Sequence, residues 1–360
     1  MNPRSSYFED LDRALKEAGI GVPVLIIDMD RLDANVDVVR RQVGGGRGIR
    51  LVDKSLPVLP LIGHLMARLE TRRVMSFHLP TAQAVLARFP DCEILFGKPI
   101  PVRALHHMLA TASPDQRIEF CRRTVLLVDS VRRLAAYADE AGTFDLTFRF
   151  AFEVDVGLHR GGFSDPAALE AALRGIEGNG RMKCEGLMGY EPHIAKIPAP
   201  FGGPVGERAR VARRFNAFVE AIPPASRTIL NTAGSNTALG HGPAISANEL
   251  SMGSGFLLPT DFDGGELAAL SPAVFIAAPV LKIVDGKIPG PAFLTEAMRR
   301  LGRLPARGCF IYGGKWMAQP VFPPGLRENP LWGTSSNQQF FELGAASTVA
   351  EDDFVFLRPT

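Results

Sequence analysis

The sequence predicts an α/β protein, a (β/α)8 TIM-type barrel joined to a second, mostly β C-terminal domain. Three observations carry that expectation. Short, continuously apolar runs alternate with helical stretches, the mark of a parallel sheet covered on both faces. Nine such runs fall within about 230 residues, enough for the eight strands of a barrel and one more. Past about residue 265 the alternation stops, and glycine and proline punctuate the chain instead.

The elements follow in order. Residues 6–19 read as an amphipathic helix ended by Gly19 and Gly21. The apolar runs lie at 24–27, 49–52, 74–77, 94–96, 125–128, 146–154, 184–190, 228–231 and 248–252. Several close on a polar residue or glycine: Asp28, Lys54, His78, Gly97, Asp129, Asp155 and Asn231. In a barrel of this kind the strand C-termini carry the chemistry, and Lys54, Asp155 and Asn231 stand there. The Gly44–Gly48 tract reads as a flexible turn without the lysine and hydroxyl of a phosphate-binding P-loop. In the second domain, strands are expected at 274–284, 310–314 and 354–357. Between them Gly286, Pro289, Gly290, Pro291, Pro320, Pro323, Pro324 and Pro330 imply long loops, and no helix–strand alternation survives.

Composition narrows the function. The 360 residues include 40 basic and 38 acidic side chains, a formal net charge of +2. That balance argues against a nucleic-acid groove or a membrane patch. The longest apolar run, 270–281, is interrupted by Ser271, Pro272 and Pro279 and is too short to span a bilayer. Cys92, Cys121, Cys184 and Cys309 have neither metal-ligand nor redox spacing, and the N-terminus has no apolar core of a signal peptide. A cytoplasmic protein with free thiols is expected.

Two segments carry chemistry. Lys54 ends the strand at 49–52. A desolvated strand-end lysine can lose its proton and form a Schiff base with an aldehyde cofactor. Arg160 lies about a hundred residues on, in the run from Glu153 to Phe163, and can hold such a cofactor's anionic oxygen. Each alone reads as an ordinary lysine or a surface arginine. Together they suggest a pyridoxal-phosphate enzyme.

Further segments fit one family. Pro23 to Asn35, Arg50-x-x-x-Lys54-Ser55, Asp155-x-Gly157-x-x-Arg160-x-Gly162, Gly189-Tyr190-Glu191-Pro192-His193, Gly234-Ser235-Asn236-Thr237, Glu249-Leu250-x-x-Gly253-Ser254 and Gly313-Gly314-Lys315 occur in an order that holds from about residue 22 onward. The chain thereby resembles the fold-type III pyridoxal-phosphate enzymes, specifically the D-serine dehydratase and D-threonine aldolase branch with its alanine-racemase-like barrel. The resemblance implies a cofactor-binding barrel at 31–265 and a β domain built from 1–30 and 266–360. It assigns the strand at 24–27 to the β domain, which leaves eight for the barrel. The sequence also departs from the family. Val52 replaces the histidine before the lysine, Leu56-Pro57 replaces His-Lys, and Pro359-Thr360 stands where the zinc-dependent members begin their Pro-Asn-His motif. No metal is therefore assigned, zinc included.

What the resemblance implies for each residue can be stated. Lys54 would hold pyridoxal phosphate, release it to the substrate amine and act as base on the Cα proton. Arg160 would bond the phenolic oxygen. Tyr190 would face the pyridine nitrogen, and a core aromatic is the competing reading. His193 would orient Tyr190 or Arg160, or is simply a satisfied polar residue. Gly234, Ser235, Asn236, Gly253 and Ser254 would cradle the phosphate, after strands seven and eight of the barrel. A homodimer with shared active sites is implied, with Tyr312 and Lys315 able to reach across it.

The reaction expected first is elimination of the β-hydroxyl of D-serine or a related D-amino acid, giving a keto acid and ammonia. D-threonine aldolase chemistry and amino-acid racemisation share the same carbanion. A non-catalytic pyridoxal-phosphate carrier and a cofactor-free barrel enzyme are the readings outside that set.

Overall fold

The computed structural model describes residues 3–43, 46–288 and 290–360. Two residues of the expected glycine turn, Gly44 and Gly45, and Pro289 among the expected loop markers, lie outside that set. The strands, in chain order, are β1 (Val24–Ile27), β2 (Gly48–Val52), β3 (Arg73–Ser76), β4 (Glu93–Phe96), β5 (Thr124–Val128), β6 (Phe148–Val154), β7 (Met182–Gly189) and β8 (Ile229–Thr232). They continue with β9 (Glu249–Met252), β10 (Val274–Asp285), β11 (Arg307–Tyr312), β12 (Ala318–Phe322), β13 (Arg327–Glu328), β14 (Gln338–Glu342) and β15 (Phe354–Pro359). The chain divides into two units. One comprises Asp33–Phe256 with Gly264–Leu270, the other Met1–Leu32, Leu257–Asp263 and Ser271–Thr360.

The first unit is a closed parallel barrel in the order β2 to β9. β9 returns onto β2, with Glu249 opposite Gly48 and Met252 opposite Leu51. Helices such as Leu59–Arg68 and Leu79–Arg88 connect the strands and bury one apolar face each. Alternation along the strands sends Val52, Met75, Leu95, Leu127, Ala151, Met188 and Ile229 into one apolar cluster. One turn lower, the same period brings charge inside. Arg50 is fully buried, and its Nε and Nη2 donate to Glu249 Oε1 and Oε2 at 2.5 and 3.0 Å. Its Nη2 also reaches Glu93 Oε1 at 3.0 Å, and Arg149 links Glu93 to Glu185 at 2.7 and 2.9 Å. Asn231 Nδ2 completes the set at 2.9 Å from Glu249 Oε1. Such a network is tolerated only because each charge finds a counter-charge and donors.

The second unit is an antiparallel sheet ordered β12-β15-β10-β11-β14-β13, with β1 also on β10. β10 is buried on both faces over much of its length. Phe275 and Ala277 pack with Phe8 of the helix Pro3–Glu17, Phe354 and Phe356. Ala278 and Val280 pack with Cys309, Ile311, Phe341 and Val355.

One expectation is corrected here and one element is added. The mostly β stretch also holds a helix, Ala292–Arg300, whose apolar residues Phe293, Leu294, Ala297 and Met298 share one side and are not buried. The proline-punctuated stretch read as long loops contains β12, β13 and β14. β12 carries Pro320 because it is an edge strand, where a missing N–H costs no ladder bond. The N-terminal helix also starts earlier than expected, at Pro3, and ends at Glu17. Leu257–Asp263 groups with the β unit through Arg358, whose guanidinium bonds the Leu258 carbonyl at 3.0 and 2.7 Å and Asp263 Oδ2 at 3.0 Å. No helix of the described residues is long and apolar enough to cross a membrane.

Candidate active site

The C-terminal ends of the barrel strands carry the expected residues. Val52, the last residue of β2, points into the barrel, and a single short turn, Asp53–Ser55, follows it. This lifts Lys54 to the barrel mouth, where its Nζ lies 4.6 Å from the centroid of the Phe77 ring. Lys54 has no hydrogen bond or ion pair among the described residues. Burial, reinforced by the charge of Arg160, holds its ammonium below the ordinary lysine range, against the opposing pull of Asp53. Asp53 itself is buried, and its Oδ2 has no hydrogen-bond partner among the described residues. Burial pushes its carboxyl up to about 6, against Ser76, His78 and Lys54.

Arg160 sits in a loop whose shape the sequence dictates. Asp155 Oδ1 accepts from the backbone of Gly157 and His159 at 2.9 and 3.0 Å, and Oδ2 lies 2.7 Å from His159 Nδ1. Phe163 closes the loop by pairing with Glu153 and Asp155, each bond 2.8 Å. Gly162 has φ +87°, and a Cβ there would stand 2.6 Å from the Glu153 carbonyl, so only glycine fits. The loop presents an exposed guanidinium with no hydrogen bond or ion pair among the described residues. It lies over the Tyr190 ring, 4.7 Å from the centroid.

Tyr190 follows β7. Burial raises its phenol above the ordinary range, with Arg160 opposing and Glu191 assisting. His193 lies 3.2 Å from Glu207 Oε1. Its ring backs the Arg160 loop, since a Cβ on Gly157 would come within 3.2 Å of Nε2, while its buried Nδ1 has no partner among the described residues.

The two glycine–serine segments come together, one after β8 and one after β9. Ser235 Oγ accepts from the amides of Gly253 and Gly255 at 3.3 and 2.9 Å and lies 3.3 Å from Ser254 Oγ. Gly234 runs under Tyr190, leaving 2.7 Å between a hypothetical Cβ and the ring. Asn236 belongs to the same turn but shows no bond to the others.

Sequence reasoning missed two groups. Glu153, on β6, is half-buried, and burial raises its carboxyl, helped by Asp129 and Asp155 and opposed by Arg160. Its place two residues before Asp155 on one strand face is the signal that could have found it. Glu191 and His241, both buried, form the second group, and nothing in their fifty-residue separation marks them as partners. Tyr312 and Lys315 belong to the β unit, at the end of β11 and in the turn beyond it. Among the described residues, no three His, Cys, Asp or Glu gather as a metal-binding set.

Known proteins share this architecture. D-threonine aldolase from Filomicrobium marinum superposes with a TM-score of 0.69 at 17% identity, covering 95% of this chain and 90% of that one. D-threo-3-hydroxyaspartate dehydratase from Delftia sp. HT23 gives 0.70 at 17% identity, with 94% and 90% covered. An alanine racemase from Clostridium difficile 630 gives 0.71 at 13% identity, with 94% and 87% covered. No curated protein sequence matches the chain. The family described as alanine racemase, N-terminal domain, matches residues 27–258, from the end of β1 to just past β9. The barrel and its mouth therefore fall within that match, and the chain belongs to the alanine racemase N-terminal domain family.

Proposed function

We propose that the chain is a pyridoxal-phosphate-dependent D-amino-acid lyase. Its substrate would be D-serine or a related β-hydroxy D-amino acid, and its products a keto acid and ammonia. One observation carries the reading. Among the described residues Lys54 and Arg160 make no hydrogen bond at one barrel mouth, and burial together with Arg160 lowers the proton affinity of Lys54. Membership of the family implies the cofactor. The donor set fits its phosphate, because the Gly253 and Gly255 amides already converge on one oxygen, that of Ser235. The fold shared with an aldolase and a dehydratase named for β-hydroxy D-amino acids supports the substrate class.

Lys54 would hold the cofactor's aldehyde carbon, Arg160 its phenolic oxygen and Tyr190 its pyridine nitrogen. Gly234, Ser235, Asn236, Gly253 and Ser254 would surround its phosphate, and His193 would support the Arg160 loop from behind. When bound, pyridoxal phosphate supplies an electron sink for charge developing at the substrate Cα. The chain's own residues handle the protons. Lys54 Nζ is unprotonated at lower pH than an ordinary lysine and takes the Cα proton. Glu153 lies on β6, the fifth barrel strand, while Lys54 follows the first. It keeps its proton to higher pH than an ordinary carboxyl and gives it to the departing hydroxyl. The Cα–H and Cβ–O bonds break, a Cα–Cβ double bond forms, and water leaves. The resulting enamine hydrolyses to keto acid and ammonia.

The test is keto-acid release from D-serine, L-serine and a panel of β-hydroxy D-amino acids. Release from D substrates alone is expected, and silence across the whole D panel would sink the proposal. Glycine plus an aldehyde would mark aldol cleavage instead, and loss of optical rotation without ammonia a racemase. A homodimer belongs to the same reading, and sedimentation velocity would show a monomer if that part is wrong.

A further inference from the structure

Glu191 follows Tyr190 and is wholly buried, and among the described residues its carboxylate bonds only Thr232, Thr237 and His241. Its Oε2 accepts from Thr232 Oγ1 at 2.8 Å. Its Oε1 lies 2.8 Å from His241 Nε2 and 3.4 Å from Thr237 Oγ1. A buried carboxylate needs such donors, and here Thr232 and Thr237 come from the two ends of one short span, 232–237, with His241 beyond it. Thr237 Oγ1 also accepts from the Gly234 amide at 3.1 Å. Arg208, paired with Glu266, grips the Thr237 carbonyl at 3.3 Å. Inside the span, Ala233 is buried at φ +77°, a left-handed conformation that a side-chain-bearing residue holds only when its surroundings impose it. The carboxylate thus staples the turn shut across its strained residue, and the turn carries Gly234, Ser235 and Asn236.

We propose that Glu191, with Thr237 and His241, is a positioning residue that presets this turn as the anion-binding wall of the site. The role rests on the cofactor reading above and deepens it by naming what holds the phosphate side in shape. A turn fixed in advance spares the ligand the ordering cost of forming it, so its loss should fall on the phosphate and not on the aldehyde.

The experiment titrates the cofactor-free, full-length chain with pyridoxal phosphate and with pyridoxal, which keeps the aldehyde but lacks the phosphate. Glu191→Gln and Thr237→Val should each weaken pyridoxal phosphate binding by about tenfold or more while leaving pyridoxal affinity unchanged. Thr237→Ser, which keeps the hydroxyl, should restore wild-type affinity. Equal loss for both aldehydes, or no loss, overturns the role. If Glu191→Gln does not fold, the Thr237 pair still decides. A wild-type chain that binds both aldehydes equally overturns this role alone. One that binds neither overturns the cofactor reading and this role with it.

Discussion

The guanidinium of Arg160 rests on the ring of Tyr190, 4.7 Å from its centroid, and has no carboxylate partner among the described residues. Its charge is therefore free to act on Lys54. Replacing Arg160 with glutamine removes that charge, so the Lys54 ammonium should hold its proton to higher pH. The rate at which an amine-selective reagent modifies Lys54, followed by peptide mass against pH, should shift its midpoint upward. An unchanged midpoint would show that burial alone depresses Lys54.

Lys54→Ala should abolish stable cofactor uptake. Wild-type protein loaded with pyridoxal phosphate should show a visible absorbance band that bleaches with borohydride, leaving the added mass on Lys54. A labelled peptide elsewhere in the chain would move the site.

Asp53 gives a stability prediction. Its carboxyl is raised to about 6 in the fold and lies near 3.9 when unfolded, so the folded state binds the extra proton between those values. Its contribution should therefore weaken as pH rises from about 4 to about 6 and level off above. Asp53→Asn removes the dependence and should stabilise the protein at pH 7 and above, by up to about 3 kcal/mol. Urea midpoints at pH 4 and pH 7.5 for both proteins check it. Equal gaps between them at the two pH values would refute the titration.

Glu153→Gln should separate two halves of the proposed reaction. Keto-acid formation should fall at least about a hundredfold, while exchange of the Cα proton with solvent deuterium persists through Lys54. Loss of both together would make Glu153 a support of the loop rather than the acid.

Arg50→Met would leave Glu249 without its main partner in a site closed to water. A loss of about 3–5 kcal/mol is expected from stranding one member of a buried pair. The companion Arg50→Met/Glu249→Leu should recover much of it, as thermal unfolding would show.

The barrel was legible because its strands are apolar on both faces, and β1 separated from them once the opening segment was matched to the family. The loop from Asp155 to Gly162 was legible because its shape needs those residue types at that spacing, as the Asp155 bonds and the Gly162 contact demonstrate. The helix Ala292–Arg300 has apolar residues at 293, 294, 297 and 298, but Gly290 and Pro291 just before it read as loop punctuation, and β12 hid behind Pro320 because an edge strand tolerates what an inner strand does not. Glu191 and His241 were beyond reach for another reason. A buried polar pair is defined by who meets whom in space, and sequence spacing carries no trace of it.

The seam between β2 and β9 sets an order of events during synthesis. Arg50 emerges from the ribosome 199 residues ahead of Glu249, the carboxylate it needs. Until then Glu93 is the one carboxylate of its pair that has been made, so the Arg50 guanidinium is only half-compensated and the first strand cannot take its final place. The ring is completed only when its last strand arrives, and a nascent chain stopped short of Glu249 should remain open and prone to proteolysis.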